Sequence, residues 1–171
     1  MSDAKRILDP CCGSRMMWFG RSAPCAVFGD RRYETLTVTD RSHGNMAGTR
    51  TLHVHPDIVL DFRHLPFSDA SFRLVVFDPP HLVRAGKLSW MAAKYGKLGE
   101  NWREDLHAGF AECFRVLEFE GVLVFKWNET QVKLREVLEL APQQPLFGNT
   151  SGKKAGTHWM VFMKPKREIH G

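Results

Sequence analysis

The sequence has little of what secreted and membrane proteins depend on. Its four cysteines include the adjacent pair Cys11 and Cys12, which is a poor start for a disulfide framework. It shows no apolar N-terminal signal segment, and no uncharged apolar stretch nears the roughly 18 residues that span a bilayer. These absences argue against a secreted or membrane-embedded protein and predict a reducing cytoplasm as the compartment.

A second absence narrows the class of ligand. No G-x-G-x-x-G loop is present, and this argues against a dinucleotide cofactor. Charge of one sign is also in short supply, because 24 Lys and Arg stand against only 19 Asp and Glu. The net charge of +5 and the pI near 9.2 are compatible with a polyanionic partner but do not require one. The 171 residues are enough for a single domain with a sizeable core.

What the chain does contain is an alternation of short apolar strands with amphipathic stretches of helical length. This alternation predicts an α/β fold with a mostly parallel sheet covered on both faces. A polar and apolar alternation between 33 and 55 predicts an inserted hairpin. Strands are predicted at 7–8, 25–28, 58–60, 74–77 and 121–127, helices at 15–19, 102–117 and 130–141, and a closing antiparallel strand at 157–164.

Three consecutive predicted strands end in an acid, namely Asp9, Asp30 and Asp61. Ligands of open α/β sheets bind outside the carboxyl ends of the strands. Asp30 follows Asp9 at about the separation at which an acid meets a ribose in nucleotide-binding sheets, and Gly13 lets the backbone of the first turn approach a ligand. An acidic turn repels a pyrophosphate but suits the cationic centre and amino group of S-adenosylmethionine (SAM). The alternative is that these acids only cap turns.

The sequence Asp78-Pro79-Pro80-His81 follows the apolar run 74–77. The two prolines fix φ and remove two backbone donors, so a carboxylate and carbonyls are left as acceptors on a rigid turn. Clustered acceptors suit a planar amino group, such as the exocyclic amine of a nucleobase. An ordinary strand-to-loop turn is the alternative.

Together these segments resemble the amino-group methyltransferases that use SAM. The run Asp9-Pro10-Cys11-Cys12-Gly13-Ser14 resembles their D-P-x-C-G-S-G cofactor loop, and Asp78-Pro79-Pro80-His81 resembles their catalytic D-P-P-Y tetrad. The stretch 61–72 also looks like the third-strand region of SAM-dependent methyltransferases. The resemblance covers roughly residues 5–130. The small size and Phe125-Lys126-Trp127 look most like methyltransferases carried by phages and prophages, in which case the compartment would be the bacterial host's cytoplasm.

The resemblance implies a Rossmann-like class I SAM-dependent methyltransferase with an antiparallel C-terminal strand. Residues 1–171 would form one catalytic domain without a separate target-recognition domain. Asp78, Pro79 and the stacking residue His81 would hold the target amine. The implied cofactor-binding set is Asp9, Pro10, Cys11, Gly13, Ser14, Arg15, Asp30, Arg31, Asp61, Phe62 and Asp78.

Two residues depart from the family's pattern. Arg15 replaces the last glycine of the cofactor loop, so the turn into the helix must differ, and Arg15 could turn toward the cofactor carboxylate. His81 replaces the tetrad's usual aromatic residue. Imidazole offers less stacking area than tyrosine, and it could instead accept a proton.

The leading hypothesis for the substrate is N6 of adenine in DNA, with N4 of cytosine equivalent and DNA favoured over RNA. A basic and aromatic stretch, 83–103, could clamp phosphates and stack on bases, or be a solvated lid. A second basic group near the C-terminus could extend that track or be a soluble tail. It comprises Lys153, Lys154, Lys164, Lys166 and Arg167.

The alternatives are a protein glutamine amide as substrate and a non-catalytic SAM-fold subunit that binds nucleic acid or a partner. Monomer and homodimer are both compatible with the sequence. No metal is expected, because His53 and His55 form at most half of a site and no further ligands stand at fixed spacing.

Overall fold

The computed structural model describes residues 6–39, 45–86, 90–150 and 156–167. Strands and helices alternate along these ranges, as the sequence pattern predicts. In chain order they are β1 Ile7–Asp9, β2 Ala26–Asp30, β3 Glu34–Thr39, β4 Thr49–Val54, β5 Ile58–Val59, β6 Phe72–Phe77, α1 Trp90–Tyr95, α2 Trp102–Val116, β7 Leu117–Asn128, α3 Leu134–Leu138, β8 Phe147–Thr150 and β9 Thr157–Met163.

A seven-stranded sheet organises the molecule, in the order β5-β2-β1-β6-β7-β9-β8. The first five strands of this order run parallel, while β9 is antiparallel to β7 and to β8. The strand order reverses between β1 and β6, which is the point where ligands of doubly wound sheets bind. A mostly parallel sheet with an antiparallel C-terminal strand confirms the predicted fold class.

The predicted inserted hairpin is also confirmed. Strands β3 and β4 pair antiparallel with each other, from Glu34 opposite Val54 to Thr39 opposite Thr49, and form a separate two-stranded sheet. Leu52 and Val54 are buried, and the intervening residue His53 is exposed. The alternation in the sequence therefore reports a ribbon with one covered face.

The core lies between the sheet and α2. The helix buries Leu106, Phe110 and Cys113 at helical spacing against Phe77 and Phe125 of the sheet. The centroids of Phe110 and Phe125 are 4.9 Å apart, and each fully buried aromatic contributes on the order of 2–3 kcal/mol.

A glycine sets how closely α2 approaches the sheet. A Cβ on Gly109 would lie 2.7 Å from the ring of Phe62 and 2.8 Å from that of Phe77. The ring of Phe62 can pack against the helix only because this position has no side chain.

The opposite face of the sheet is less completely covered. Alternate residues along β6, β7 and β9, among them Val76, Val124 and Trp159, are only half-buried. α2 and α3 both contribute to the core on the other face. The prediction of helices on both faces is therefore wrong for the residues that the structure describes, where this face lacks a matching helical layer.

Local predictions succeed where the apolar pattern is long and fail where it is short. The helix predicted at 15–19 is absent from this segment, which is a series of turns, and the helix predicted at 130–141 shrinks to α3. The sequence reading missed α1 and β8. None of the helices in the described part of the chain combines the length and hydropathy needed to cross a membrane.

Candidate active site

A cavity of about 910 Å³ opens at the carboxyl ends of β1, β2 and β6. Its wall includes most of the predicted site residues. Those that line it are Pro10, Cys11, Gly13, Ser14, Asp30, Arg31, Phe62, Asp78, Pro79 and Pro80. The volume lies in the range of pockets that hold small ligands.

Four predicted residues do not line this cavity: Asp9, Arg15, Asp61 and His81. Asp9 and His81 lie inside the protein, at 0% and 7% exposure. The carboxylate of Asp61 is engaged by Arg63, with Nη2 to Oδ2 at 2.6 Å, and this contact lowers the pKa of Asp61.

Arg15 takes the backbone conformation that the missing glycine would favour, with φ at 54°. This left-handed conformation strains a residue that has a Cβ. The guanidinium donates at 2.8 Å both to the carbonyl of His55 and to Asp57, and it lies 4.0 Å over the ring of Phe28. Arg15 therefore ties the first loop to the end of the hairpin and does not turn toward the cavity.

Asp30 is a bracket between two loops. Its Oδ2 accepts from the backbone N–H of Gly13 at 2.9 Å, and its Oδ1 accepts from the backbone N–H and the Nε of Arg32 at 2.9 and 3.2 Å. Gly13 has φ at 50°, and the position a Cβ would take lies 4.0 Å from Arg32 Nη2. This arrangement holds a bare stretch of backbone beside an acid and an arginine.

The carboxylate of Asp9 is sealed beneath the same loop. Oδ2 accepts from Trp18 Nε1 at 2.7 Å and Oδ1 from the N–H of Cys11 at 3.2 Å. Burial raises its pKa to about 7, with smaller contributions from the charges of Asp78 and Asp30, while the two hydrogen bonds oppose the shift. The group is therefore close to half-ionised at neutral pH.

Asp78 stands on the cavity wall and meets a cation. Lys126 Nζ, on the adjacent strand β7, donates to Asp78 Oδ2 at 2.5 Å. The parallel register that pairs Phe77 with Phe125 brings the two following residues together. Desolvation raises the pKa of Asp78, and the charge and hydrogen bond of Lys126 act against that rise.

His81 packs into the protein behind the tetrad. Its ring centroid lies 5.4 Å from that of Tyr95 and 6.4 Å from that of Trp127, and Nε2 is buried without a hydrogen-bond partner. Burial and the nearby Lys126 lower its pKa, so the imidazole is neutral at pH 7. Tyr95, on α1, lines the cavity in its place.

The sequence reading missed several residues of the cavity wall, chiefly Lys126, Tyr95 and Arg32. A signal for Lys126 was present, since a lysine inside the apolar run 122–127 needs a counter-ion, and the neighbouring strand supplies one. Tyr95 and Arg32 had none, because their positions depend on how α1 and the hairpin pack over the sheet.

The second predicted basic group does not join this site. Lys164 Nζ donates to the carbonyls of Leu117 and Arg115, at the start of β7 and so at the opposite end of the sheet from Lys126. Lys166 pairs with Glu120 at the same end. Lys153 and Lys154, like Lys87 of the basic and aromatic stretch, fall outside the described residues.

The two histidines of the hairpin face one another with ring centroids 5.5 Å apart. Both approach the hydroxyl of Thr35, at 3.3 Å from His53 and 2.9 Å from His55. Within the described ranges, no group of three or more His, Cys, Asp or Glu side chains is arranged to hold a metal ion.

Comparison with known proteins gives a clear result for the fold. The sequence matches no family model and no curated protein. Solved structures do match along nearly the whole chain. A TehB-like SAM-dependent methyltransferase from Corynebacterium glutamicum has a TM-score of 0.53 at 17% identity, with 95% of this chain and 81% of that one covered.

Two further structures show the same likeness. A SAM-dependent methyltransferase from Methanosarcina mazei has a TM-score of 0.53 at 13% identity, covering 94% of this chain and 92% of that one. The [4+2]-cyclase SpnF has a TM-score of 0.54 at 12% identity, covering 95% and 75%. The chain therefore has the class I methyltransferase fold, and a fold that also carries a cyclase does not by itself fix the reaction.

Proposed function

We propose that this protein is a SAM-dependent methyltransferase that acts on an exocyclic amino group of a nucleobase, with N6 of adenine in DNA as the leading substrate. The observation that carries the proposal is the cavity wall itself. It brings together the glycine-containing loop 10–14, Asp30 and the Asp78-Pro79-Pro80 turn, which lie far apart in the sequence.

The residues present fit the cofactor. Gly13 offers backbone without a side chain, and Asp30 and Arg32 stand beside it as an acid and a base for a ligand that carries ribose hydroxyls, an amino group and a carboxylate. Phe62 supplies an apolar surface for adenine. When bound, SAM supplies an electrophilic methyl group on a positively charged sulfur.

The tetrad would hold the target amine. Asp78 and the carbonyl of Pro79 can accept its two N–H bonds, and this leaves the nitrogen lone pair directed away from both acceptors. Correct alignment of a weak nucleophile supplies much of the rate in such a site. Tyr95 is better placed than His81 to stack on an extruded base, because Tyr95 lines the cavity and His81 packs behind it.

The nucleic acid would approach over α1. Lys94 and Lys97 line the cavity, and Lys97 also lines a second hollow of about 750 Å³ with Arg84 and Trp102. Arg103 lies 4.1 Å over the ring of Trp102. Cations beside aromatic rings are the usual surface for a single strand or an opened duplex.

A second candidate function is a subunit of the same fold that binds its ligands without catalysis. The contact between Lys126 and Asp78 favours it, because the lysine already occupies one oxygen of the carboxylate that would take the amine.

One experiment separates these candidates. Labelled-methyl transfer from SAM would be measured on duplex DNA, single-stranded DNA, total RNA and a glutamine-containing protein mixture, followed by digestion and mass spectrometry. Calorimetry would measure SAM binding in parallel. N6-methyladenine in DNA supports the proposal. Label only in RNA or protein replaces the substrate, SAM binding without transfer supports the subunit, and no SAM binding overturns both.

A further inference from the structure

Lys126 is the one contact in the cavity that the proposed reaction leaves without a task. It comes from the interior of an apolar strand, yet its ammonium lies on the cavity wall with 22% of the side chain exposed. Placing a lysine there costs solvation energy, which its contact with Asp78 offsets. The position therefore calls for an explanation beyond the fold.

The geometry divides the carboxylate of Asp78 between two partners. Lys126 Nζ donates to Oδ2 at 2.5 Å, and the structure gives Oδ1 no protein donor among the described hydrogen bonds. An incoming amine can therefore donate to Oδ1 while Lys126 stays on Oδ2. Both Asp78 and Lys126 line the cavity, so the free oxygen lies on the side from which a substrate arrives.

From this arrangement we infer that Lys126 is a positioning residue which holds Asp78 as an ionised carboxylate with Oδ1 directed to the substrate amine. The inference rests on the proposed function, since only an ionised carboxylate accepts an N–H bond with both oxygens available. A protonated Asp78 would instead present one oxygen as a donor and would compete with the amine's own hydrogens.

The other groups around Asp78 oppose its ionisation or are neutral. From β1 and its loop come Asp9 and Cys11, and the charge of Asp78 raises the pKa of both. On its own turn His81 is neutral at pH 7. From α1, Lys94 and Lys97 line the same cavity, but it is Lys126 that contacts the carboxylate. Because burial already raises the pKa of Asp78, losing Lys126 would raise it further.

The test compares Lys126→Met with Lys126→Arg and with Lys133→Met. Lys133 is 70% exposed in its side chain and lies 3.9 Å from Glu129, so its replacement removes the same charge away from the cavity. The first readout is carbon-13 NMR titration of labelled aspartates in the protein without ligands, with Asp78→Asn assigning the signal. An opposite charge at this range lowers a carboxyl pKa by about one to three pH units.

We therefore expect the Asp78 titration to move up by about one to three pH units in Lys126→Met, and by little in the other two variants. The second readout is the pH profile of methyl transfer. The acid limb of Lys126→Met should move to higher pH with the titration, so its deficit against wild type is at least about tenfold at pH 6 and shrinks toward pH 9.

The outcomes separate this inference from the proposed function. An unmoved Asp78 titration, or an equal loss of transfer at every pH, overturns the role of Lys126. A moved titration in a protein whose wild type methylates no acceptor supports the control of ionisation and overturns the proposed reaction. Circular dichroism of each variant checks folding, and Lys126→Arg retains the charge if Lys126→Met does not fold.

Discussion

Asp9 and Asp78 end two strands that are hydrogen-bonded neighbours, yet the chain treats the two carboxyl groups in opposite ways. Asp9 is fully buried and meets only neutral donors, Trp18 Nε1 and the N–H of Cys11. Asp78 lies on the cavity wall and meets the ammonium of Lys126. The first arrangement lets a proton come and go near pH 7, and the second stabilises a charge.

This difference assigns the two acids different kinds of work. A sealed carboxyl that is half-ionised at neutral pH can respond to a cationic ligand bound above it by losing its proton. A carboxylate that already has its counter-ion is ready to accept a hydrogen bond at any moment. The comparison places cofactor sensing at the end of β1 and substrate holding at the end of β6, and the following variants test it.

Removing the charged member should have the largest effect. Asp78→Ala deletes the proposed acceptor, so methyl transfer should fall by on the order of 10³-fold while SAM affinity stays within a few-fold. Radiolabel transfer and calorimetry measure the two quantities. Asp69→Ala, an acid at the other end of β6 whose side chain is 79% exposed, serves as the control. An equal loss of SAM binding would make Asp78 a cofactor residue.

Asp9→Asn should stabilise the protein without ligands at high pH. The folded-state pKa of about 7 exceeds the ordinary 3.8, so the folded state binds the proton more tightly and stability falls as pH rises between these values. The full cost is roughly 4 kcal/mol, and asparagine avoids it. Urea unfolding at pH 4 and pH 8 should show a gain confined to the higher pH. A pH-independent difference would contradict the raised pKa.

Asp30→Ala tests a third acid, which shares features of both. Asp30 meets a backbone N–H as Asp9 does, and an arginine as Asp78 meets a lysine. We expect SAM affinity to weaken by roughly 1–3 kcal/mol, because the variant strands a ligand hydroxyl and frees the loop of Gly13. An unchanged affinity in calorimetry would limit Asp30 to bracing the two loops and would move the ribose acid elsewhere.

Trp18→Phe should produce the smallest change and the most specific one. It removes the 2.7 Å hydrogen bond to Asp9 Oδ2 but keeps most of the ring that packs against Phe28. The loss of stability should be about 1 kcal/mol at pH 5 and larger, about 2 kcal/mol, at pH 8, where the acceptor is charged. Repeating the unfolding in Asp9→Asn should erase the pH dependence, and its persistence would exclude Trp18 as the partner.

The sequence was sufficient for the sheet and for much of the cavity floor. Apolar runs that end in an acid mark β1, β2 and β6 because buried strands and their polar ends have a strong compositional contrast. The two loops that follow β1 and β6 could be predicted to meet, since parallel strands present their carboxyl ends at one edge.

The roof of the cavity could not be predicted in the same way. The short helix α1 has no long periodic pattern, and Tyr95 reaches the cavity only through tertiary packing. The orientation of Asp9 and His81 was equally hidden, because the sequence does not reveal that Trp18 covers one and Tyr95 the other. Residue type predicted the chemistry present near the site, while burial decided which groups face it.

Arg32 has a consequence of a different kind. Its side chain donates to Asp30 on the floor, to Glu34 in the hairpin and to the carbonyl of Ala93 in α1. One guanidinium thus couples three segments that are distant in the chain, so none of them can open without breaking contacts of the others. We expect the backbone amides of α1 and β3 to exchange with deuterium as a single cooperative unit, with Arg32→Lys splitting that unit into two.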